Sequence, residues 1–587
     1  MSHSAHIQGV FDLLSAPGSP FECGDVDVRG QTYTGYVNAP AHVRHLWLGC
    51  KAQDTDEYLV YEDERITYGQ ARARVLQVAN ALIDDFGVQP GDSVGLALRN
   101  YPEWVLGWWA IQMAGAVAVE INSFWNETEL AYGITDSGSG VVIADQARHE
   151  ALVAQQDTIA AAGIELRTIV VRSSVDLGAG ATHWDDVTGD ESVPELAIGT
   201  DDRAAMVYTS GTTAFPKGVV HSQRNIVTNH FNMVFLNLGM RLAEVSAEGG
   251  DPKAAAAAAD ASPQSVMLVA VPLFHVTGSH CVMLPITATG GKLVLMYKWN
   301  AERALELIER EKVTNFTGVP TMTMDMLASP AFASTDTSTL SGMSSGGAPN
   351  PPHMVAKVDG AIKNASVAQG YGLSEVSGIA TANGGIFYGA RAGSCGVAPR
   401  IAEMKVVDNE GQTLSNGEAG ELCIRGPHVF VEYHNKPEAT AAVVDAAGWF
   451  HTGDIATIDD DSFVTIVDRA KDVVIRGGEN VGCAEVEAAV ARHPDVHECA
   501  VFGLPDERLG ETVAVAIHPL AGMELDPEQV REFAAGSLAA FKVPSSVFIY
   551  DTPLPKNPNG KILKRQLREE LGNSGETQAR AGSDSLR

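Results

Sequence analysis

Apolar positions recur along this chain in two alternating rhythms. Val266–Val271 (VMLVAV) is an unbroken apolar run closed by Pro272, the pattern of a strand buried on both faces. Ala301–Lys312 (AERALELIEREK) places Ala304, Leu305, Leu307 and Ile308 on one side and charges on the other, which predicts an amphipathic helix. Val313–Val319 reads as the next strand. Strand–helix–strand order repeated up to about Asp468 predicts an α/β fold with parallel sheets covered by helices. The most apolar stretch, Trp104–Val119, is interrupted by Gln112 and is shorter than the ~20 residues that cross a bilayer. It predicts a buried helix feeding a strand. Met240–Gln264 breaks the rhythm with GGDPK, a run of alanines and DASPQ, and reads as a mobile surface insertion.

A chain of 587 residues predicts several domains. Asp468–Asp472 (DRAKD) separates a large region, 1–468, from a smaller one, 473–570, with 469–472 as a hinge. The smaller region has its own pattern, with Glu485–His493 and Pro527–Ala540 helical, and is expected to be a mobile α+β domain. The polar, Gly/Ser-rich stretch 571–587 is expected to be a disordered tail.

Composition narrows the function classes. Hydrophobic residues make up 45% and charged residues 19%, as in a globular enzyme. The net charge of −32 disfavours nucleic acid and anionic lipid as main partners, though a local basic pocket would still admit an anionic substrate. The cysteines (23, 50, 281, 395, 423, 483 and 499) show neither zinc-ligand nor disulfide spacing and suit a reducing cytosol. Met1–Leu14 lacks the basic and apolar regions of a secretory signal, so a cytoplasmic protein without an integral membrane segment is expected. A homodimer is left open.

The strongest chemical signal is Tyr208–Gly218, YTSGTTAFPKG. Small hydroxyl residues and glycine let backbone N–H groups approach an anion, and Lys217 adds a charge. The segment reads as a phosphate-binding loop or as a flexible surface loop, and it lacks the G-K-[ST] of a Walker loop. It resembles the phosphate loop of the adenylate-forming superfamily, which includes acyl-CoA synthetases, firefly-type luciferases and amino-acid adenylation domains. Ala214 stands where that pattern, T-S-G-T-T-G-x-P-K-G, has its second glycine, a substitution worth about 1 kcal/mol of strain if φ is positive there.

Four further segments match in the superfamily's order: Ser345–Pro349 (SGGAP), Gln369–Glu375 (QGYGLSE), Trp449–Asp454 (WFHTGD) and Arg469–Asn480 (RAKDVVIRGGEN). The resemblance continues to Pro555–Lys561 (PKNPNGK). It implies that Thr209, Ser210, Gly211, Thr212, Thr213 and Lys217 hold ATP phosphates, and that Glu375 with Thr209 holds Mg²⁺. It places Gly346, Gly347, Ala348 and Pro349 beside adenine and the acyl group. Gln369, Gly370, Tyr371 and Gly372 belong to the adenine motif, with Tyr371 stacked on the base and Ser374 bonding phosphate. Asp454 would accept from the ribose hydroxyls and Arg469 would contact ribose or phosphate. Lys471 would be the hinge, Gly477, Gly478 and Glu479 would line a thiol channel, and Lys561 would bridge the carboxylate and the α-phosphate. Taken singly, Asp454 reads as a turn aspartate and Lys561 as a solvated lysine.

The implied reaction is ATP-dependent activation of a carboxylic acid as acyl-adenylate and transfer to coenzyme A. His275, in Leu273–Gly278 (LFHVTG), would border the acyl carboxylate or be a core histidine. An aspartate for a substrate ammonium is absent from this segment, so an amino acid is not expected. Val376–Ile379 (VSGI) is small and apolar and suggests room for a long or aromatic acid, with a medium- or long-chain fatty acid as the first expectation. An aromatic-acid CoA ligase and an enzyme loading a carrier protein are the alternatives, and an inactive adenylate-binding scaffold is the rival from another class. Gly482 stands where many members have tyrosine. Two weaker motifs compete: Gly342–Gly346 (GMSSG) has the form G-x-S-x-G but runs into prolines, and GSDSL at 582–586 resembles a phosphopantetheine site without room for a carrier bundle.

Overall fold

The computed structural model describes residues 3–209, 216–259, 263–347, 354–362, 364–469, 473–476, 479–506, 508–557 and 560–573. Two eight-stranded sheets form the bulk of the molecule. The first runs in the order Glu432–Tyr433, Lys217–Ser222, Arg203–Thr209, Val117–Glu120, Ser93–Ala97, Val141–Asp145, Arg167–Val171, Ala181–His183. The second runs Thr381–Gly384, Ser366–Tyr371, Gly342–Ser345, Asn315–Gly318, Val266–Val269, Lys292–Leu295, Glu57–Tyr61, Glu64–Thr67. The inner strands of both pair in parallel, as the α/β pattern predicts.

The helix Pro102–Met113 explains why its sequence is apolar all round. It contacts strands of both sheets, and every residue but Glu103 is buried. Trp104, Trp108 and Trp109 are fully buried in a core shared by the two sheets. Truncating any one to alanine is worth about 3–5 kcal/mol. The helix leads into Val117–Glu120, as its pattern predicts. The helix Ala301–Glu311 and the strand Asn315–Gly318 likewise follow the sequence.

A four-stranded antiparallel sheet follows: Glu403–Val407, Gly420–Arg425, Phe450–Ile458 and Val464–Arg469. A last sheet contains Glu479–Val481, Val474–Arg476, Gly510–Pro519, Val496–Asp506 and Ser546–Ile549, with its own apolar core. The helix Cys483–Val490 packs on it, and the Asp468 carboxylate accepts the Cys483 N–H at that helix's start. Gly482 is the N-cap there; with φ −70°, a Cβ would make only ordinary contacts, the nearest 3.5 Å from Asp468 Oδ2.

Several expectations need correction. Met240–Gln264 is not a surface loop. The helix Gln223–Ala247, started by a Ser222–Asn225 capping box, runs through its first third and buries Met240, Leu242 and Ala243. A second helix, Pro252–Ala259, folds back against it, with Ala255 and Ala256 on the same core. The alanine run is a helix former, and the GGDPK turn made it look irregular. The helix expected over Pro527–Ala540 stops at Ala535, before Gly536. The final helix, Lys564–Asn573, extends into the expected tail, and Leu571 packs on a core; 574–587, with the GSDSL motif, lie outside the described residues. Gly342–Ser345 is itself a strand, so Ser344 sits within a parallel ladder and not on a hydrolase elbow. No helix among the described residues is long and apolar enough to cross a membrane.

Candidate functional site

The site gathers where the ends of the two large sheets meet the four-stranded one. Arg203–Thr209 and Lys217–Ser222 form an antiparallel hairpin, with Thr209 opposite Lys217. The predicted phosphate loop is the segment of sequence between these two strands. Ser210, Gly211, Thr212, Thr213 and Ala214 lie outside the described residues.

The base of the loop meets a glutamate. Lys217 Nζ lies 4.5 Å from the centre of the Tyr433 ring. Tyr433 Oη donates to Glu375 Oε1 at 2.7 Å. Burial, then the Glu375 charge, raises the Tyr433 phenol above its ordinary range, so it stays a donor. Tyr433 had no role in the sequence reading. Only the pairing of Glu432–Tyr433 with Lys217–Ser222 brings it here, and no local motif announces such an edge strand.

Glu375 is the middle residue of a short 3-10 turn, Ser374–Val376, after the strand Ser366–Tyr371. Gly372 is required by that turn: a Cβ there would lie 1.6 Å from the Gly378 carbonyl oxygen. Ser374 is buried at the turn's start. A cavity of about 470 Å³ adjoins Glu375 and Tyr433 and reaches Asp445, Phe450, His451 and Thr452.

Tyr371 ends the strand Ser366–Tyr371 and is tied at its hydroxyl. Its hydroxyl donates to Asp454 Oδ2 at 2.7 Å, joining the second sheet to Phe450–Ile458. Burial, then Asp454, holds the phenol well above its usual range. Asp454 is buried and is the strand partner of Arg469, whose side chain is not described. Gln369 accepts from Tyr388 Oη at 2.8 Å, and Gly370 would clash with Ile379 if it carried a Cβ. Gly346 and Gly347 follow the strand Gly342–Ser345, and Gly347 has a φ of +76° that glycine accepts without strain. Ala348, Pro349, Lys471, Gly477 and Gly478 lie outside the described residues, and Glu479 is placed by its backbone alone.

His275 lies on the segment after Val266–Val269. Its Nδ1 accepts the Thr277 N–H at 3.2 Å, which leaves the ring proton on Nε2. Burial, then the charges of Lys561 and His280, pushes its pKa down to about 4. It is therefore a neutral donor at pH 7. Lys561, from the far end of the chain, lies close enough for its charge to act on this ring. The loop carrying Lys561 is seated on the large region: a Cβ at Gly560 would lie 3.0 Å from Val319 Cγ2. His497 Nε2 lies 3.6 Å from Asp325 Oδ1 across the same contact.

The small apolar stretch expected to leave room for the acid does not face open space. Val376 and Ile379 are buried in separate cores, and a Cβ at Gly378 would meet Cys281 and Asn229. A second cleft, about 170 Å³, opens beyond Pro272 and is lined by Arg99, Ser123, Phe124, Tyr297 and Lys298. Arg99 stacks 3.4 Å from the Phe124 ring centre, and its Nε is buried without a hydrogen-bond partner among the described residues. This places a basic, aromatic surface on a strongly acidic protein. One other ligand-type group occurs among the described residues: Glu421, Cys423 and His451, in which His451 Nδ1 already lies 3.0 Å from Glu421 Oε2.

A family model described as AMP-binding enzyme matches residues 49–434, and one described as AMP-binding enzyme C-terminal domain matches 485–561. The chain belongs to the AMP-binding enzyme family. It is 34% identical to a feruloyl-CoA synthase from an Amycolatopsis species over 86% of this chain and 94% of that one. It is 32% identical to 4-coumarate–CoA ligase 1 of Arabidopsis thaliana over 86% of this chain and 88% of that one. The crystal structure of ATP-bound MatB from Rhodopseudomonas palustris superposes with a TM-score of 0.78 at 28% identity, covering 91% of this chain and 99% of that one. The fatty-acid reading is thus less well supported than its aromatic alternative.

Proposed function

We propose that the protein is an AMP-forming acid–thiol ligase that converts an aromatic acid of the hydroxycinnamate kind to its coenzyme A thioester. The observation that carries the chemistry is the seating of the Gly560–Lys561 loop of the small region on the large region at Val319, which brings the Lys561 charge within electrostatic range of His275. The two relatives named for feruloyl and coumarate substrates support the acid class.

In the first step a carboxylate oxygen attacks the α-phosphorus of ATP, and the bond to the β-phosphate's bridging oxygen breaks. Both reactants are anions and need cations between them. Lys561 would stand on the acyl side, while Lys217 and the predicted phosphate loop would hold the outgoing pyrophosphate. Neutral His275 would donate its Nε2 proton to the acid's oxygen without competing as a cation. Asp454, fixed by Tyr371, would accept from the ribose hydroxyls. Glu375 and the Thr209 hydroxyl are hard oxygen donors of the kind Mg²⁺ takes alongside phosphate oxygens, and Glu375 keeps a second oxygen beyond the one bonded by Tyr433. Bound there, Mg²⁺ would neutralise phosphate charge. In the second step the thiol sulfur attacks the acyl carbonyl and AMP leaves. The Arg99–Lys298 cleft offers cations and aromatic faces that suit a phosphorylated thiol carrier such as coenzyme A.

The test is pyrophosphate release with ATP and Mg²⁺ over acids from acetate to palmitate, benzoates and hydroxycinnamates, with and without coenzyme A. Release confined to aromatic acids, with thioester formed only when coenzyme A is present, is the expected result. Release confined to long aliphatic acids would overturn the acid class. Acid-dependent release with no thioester would overturn the acceptor.

A further inference from the structure

The four-stranded sheet carries a group of metal-type ligands that the adenylation chemistry does not use. Along Gly420–Arg425 the side chains alternate between two faces. Leu422 and Ile424 enter an apolar core, which Phe450 of the neighbouring strand joins. Glu421 and Cys423 therefore take the opposite face, together with His451, the strand partner of Cys423. The register shifts between Glu421 and Cys423, an irregularity of the kind that re-aims a side chain.

The three side chains converge. His451 Nδ1 lies 3.0 Å from Glu421 Oε2 and 3.5 Å from Cys423 Sγ. One ligand atom from each residue falls within 4.8 Å of the other two. A tetrahedral ion bonded to sulfur at about 2.3 Å and to nitrogen at about 2.0 Å sets those two atoms roughly 3.5 Å apart, which matches the sulfur–nitrogen separation here. A hydrogen bond from His451 to Glu421 accounts for one of the two short approaches. A cation shared by all three residues accounts for both.

The surroundings suit such an ion. Glu421 Oε1 accepts the Gly453 N–H at 3.0 Å, which orients the carboxylate and leaves Oε2 as the ligand atom. Asp445 adds a second negative charge near the thiol. Lys405, paired with Cys423 on its other side, opposes it, but rests its ammonium 4.3 Å from the centre of the Trp449 ring. Glu421, His451 and Asp445 border the cavity of about 470 Å³, from which a fourth ligand such as water can enter. Cys423 itself is buried, and burial, then the Glu421 charge, pushes its thiol up to about 12. A bound cation would have to displace that proton, as coordination does.

We propose that Glu421, Cys423 and His451 form a site for a divalent cation of the zinc class, held by other residues than the Mg²⁺ that accompanies ATP. Thiolate and imidazole select such ions over Mg²⁺ and Ca²⁺, which take oxygen ligands. On binding, Cys423 releases its proton to solvent and His451 keeps its single proton on Nε2. Sγ, Nδ1 and Oε2 then each give an electron pair to the ion. The ion would tie Gly420–Arg425 to Phe450–Ile458 beside Asp454. The site does not depend on the ligase function proposed above, because binding is measured without substrate.

The test titrates Co²⁺, a coloured stand-in for zinc, into the chelator-stripped full-length protein in excess Mg²⁺. One equivalent should bind with a thiolate-to-Co²⁺ charge-transfer band in the near ultraviolet, and Zn²⁺ should abolish the band by displacement. Cys423→Ser should remove it, although six of the seven cysteines remain. Glu421→Gln should keep the band and weaken Co²⁺ binding at least tenfold. Absence of a thiolate band, or a band that survives Cys423→Ser, would overturn the site. Unchanged Co²⁺ affinity in Glu421→Gln would overturn the three-residue ligand set. Should Cys423→Ser fail to fold, His451→Gln carries the test: binding at least tenfold weaker supports the site, and unchanged affinity overturns it.

Discussion

Glu375 and Lys561 would face the same phosphate from opposite sides, yet they are held differently. Glu375 follows a strand in the middle of the fold, is bonded by Tyr433, and rests on a turn pinned by His280, His221 and Asn229. Lys561 rides on an exposed loop of the small region, fixed locally by Asn557 and seated on the large region at Val319 and Asp325. The contrast fits a two-step reaction. Groups that bind nucleotide serve both steps and gain from rigidity, whereas a lysine needed only for the first step must be able to leave.

The largest expected effect breaks that contrast at its mobile end. Lys561→Ala should lower acid-dependent ATP–pyrophosphate exchange by about a thousandfold, the scale of losing one charge stabiliser in a closed site. Thioester formation from supplied acyl-adenylate should stay within a few-fold. Equal loss in both half-reactions would mean that Lys561 does not leave.

Acid should separate the regions next. His230, His275 and His428 are held at about 4 by burial, and all three lie before Asp468. A free imidazole titrates near 6.5, so below that pH the unfolded chain takes up protons that the native state refuses. Their stabilising contribution is complete above about pH 6.5 and is lost as pH falls towards 4, at roughly 1.4 kcal/mol per pH unit for each histidine. All eight tryptophans precede Asp468, so their fluorescence reports this region alone. Its urea midpoint should drop steeply between pH 6.5 and 5; a flat midpoint would contradict the buried neutral assignment.

Smaller effects sharpen the rigid end. Asp454→Ala removes the acceptor held by Tyr371 and should raise the KM for ATP roughly tenfold or more, the scale of one to two charge-assisted hydrogen bonds. Tyr433→Phe leaves the ring under Lys217 but removes the bond to Glu375. A loss of about 1 kcal/mol should appear as a several-fold higher Mg²⁺ requirement with ATP binding in its absence unchanged.

The sequence conveyed most of what is local. The buried helix at Pro102–Met113, the parallel strands and the order of the nucleotide-site segments were legible because each rests on a short periodic or glycine-dependent pattern. The helical hairpin over Met240–Ala259 was not, because a glycine turn and an alanine run carry no amphipathic stripe. Tyr433 and Arg99 were invisible for another reason. Each acquires its partner through strand pairing or packing between distant segments, as when Tyr433 meets Glu375 across 58 positions of sequence. The bond from Tyr371 to Asp454 was likewise hidden, although both residues stood out singly.

In the proposed reaction an acid oxygen becomes bonded to the α-phosphorus. Incubating the protein with ATP, Mg²⁺, coenzyme A and a hydroxycinnamate carrying ¹⁸O in both carboxylate oxygens tests it most directly. Mass spectrometry should find one ¹⁸O atom in each AMP formed, none in pyrophosphate, and one in the thioester carbonyl. Label in phosphate or pyrophosphate, or AMP without label, would contradict the account.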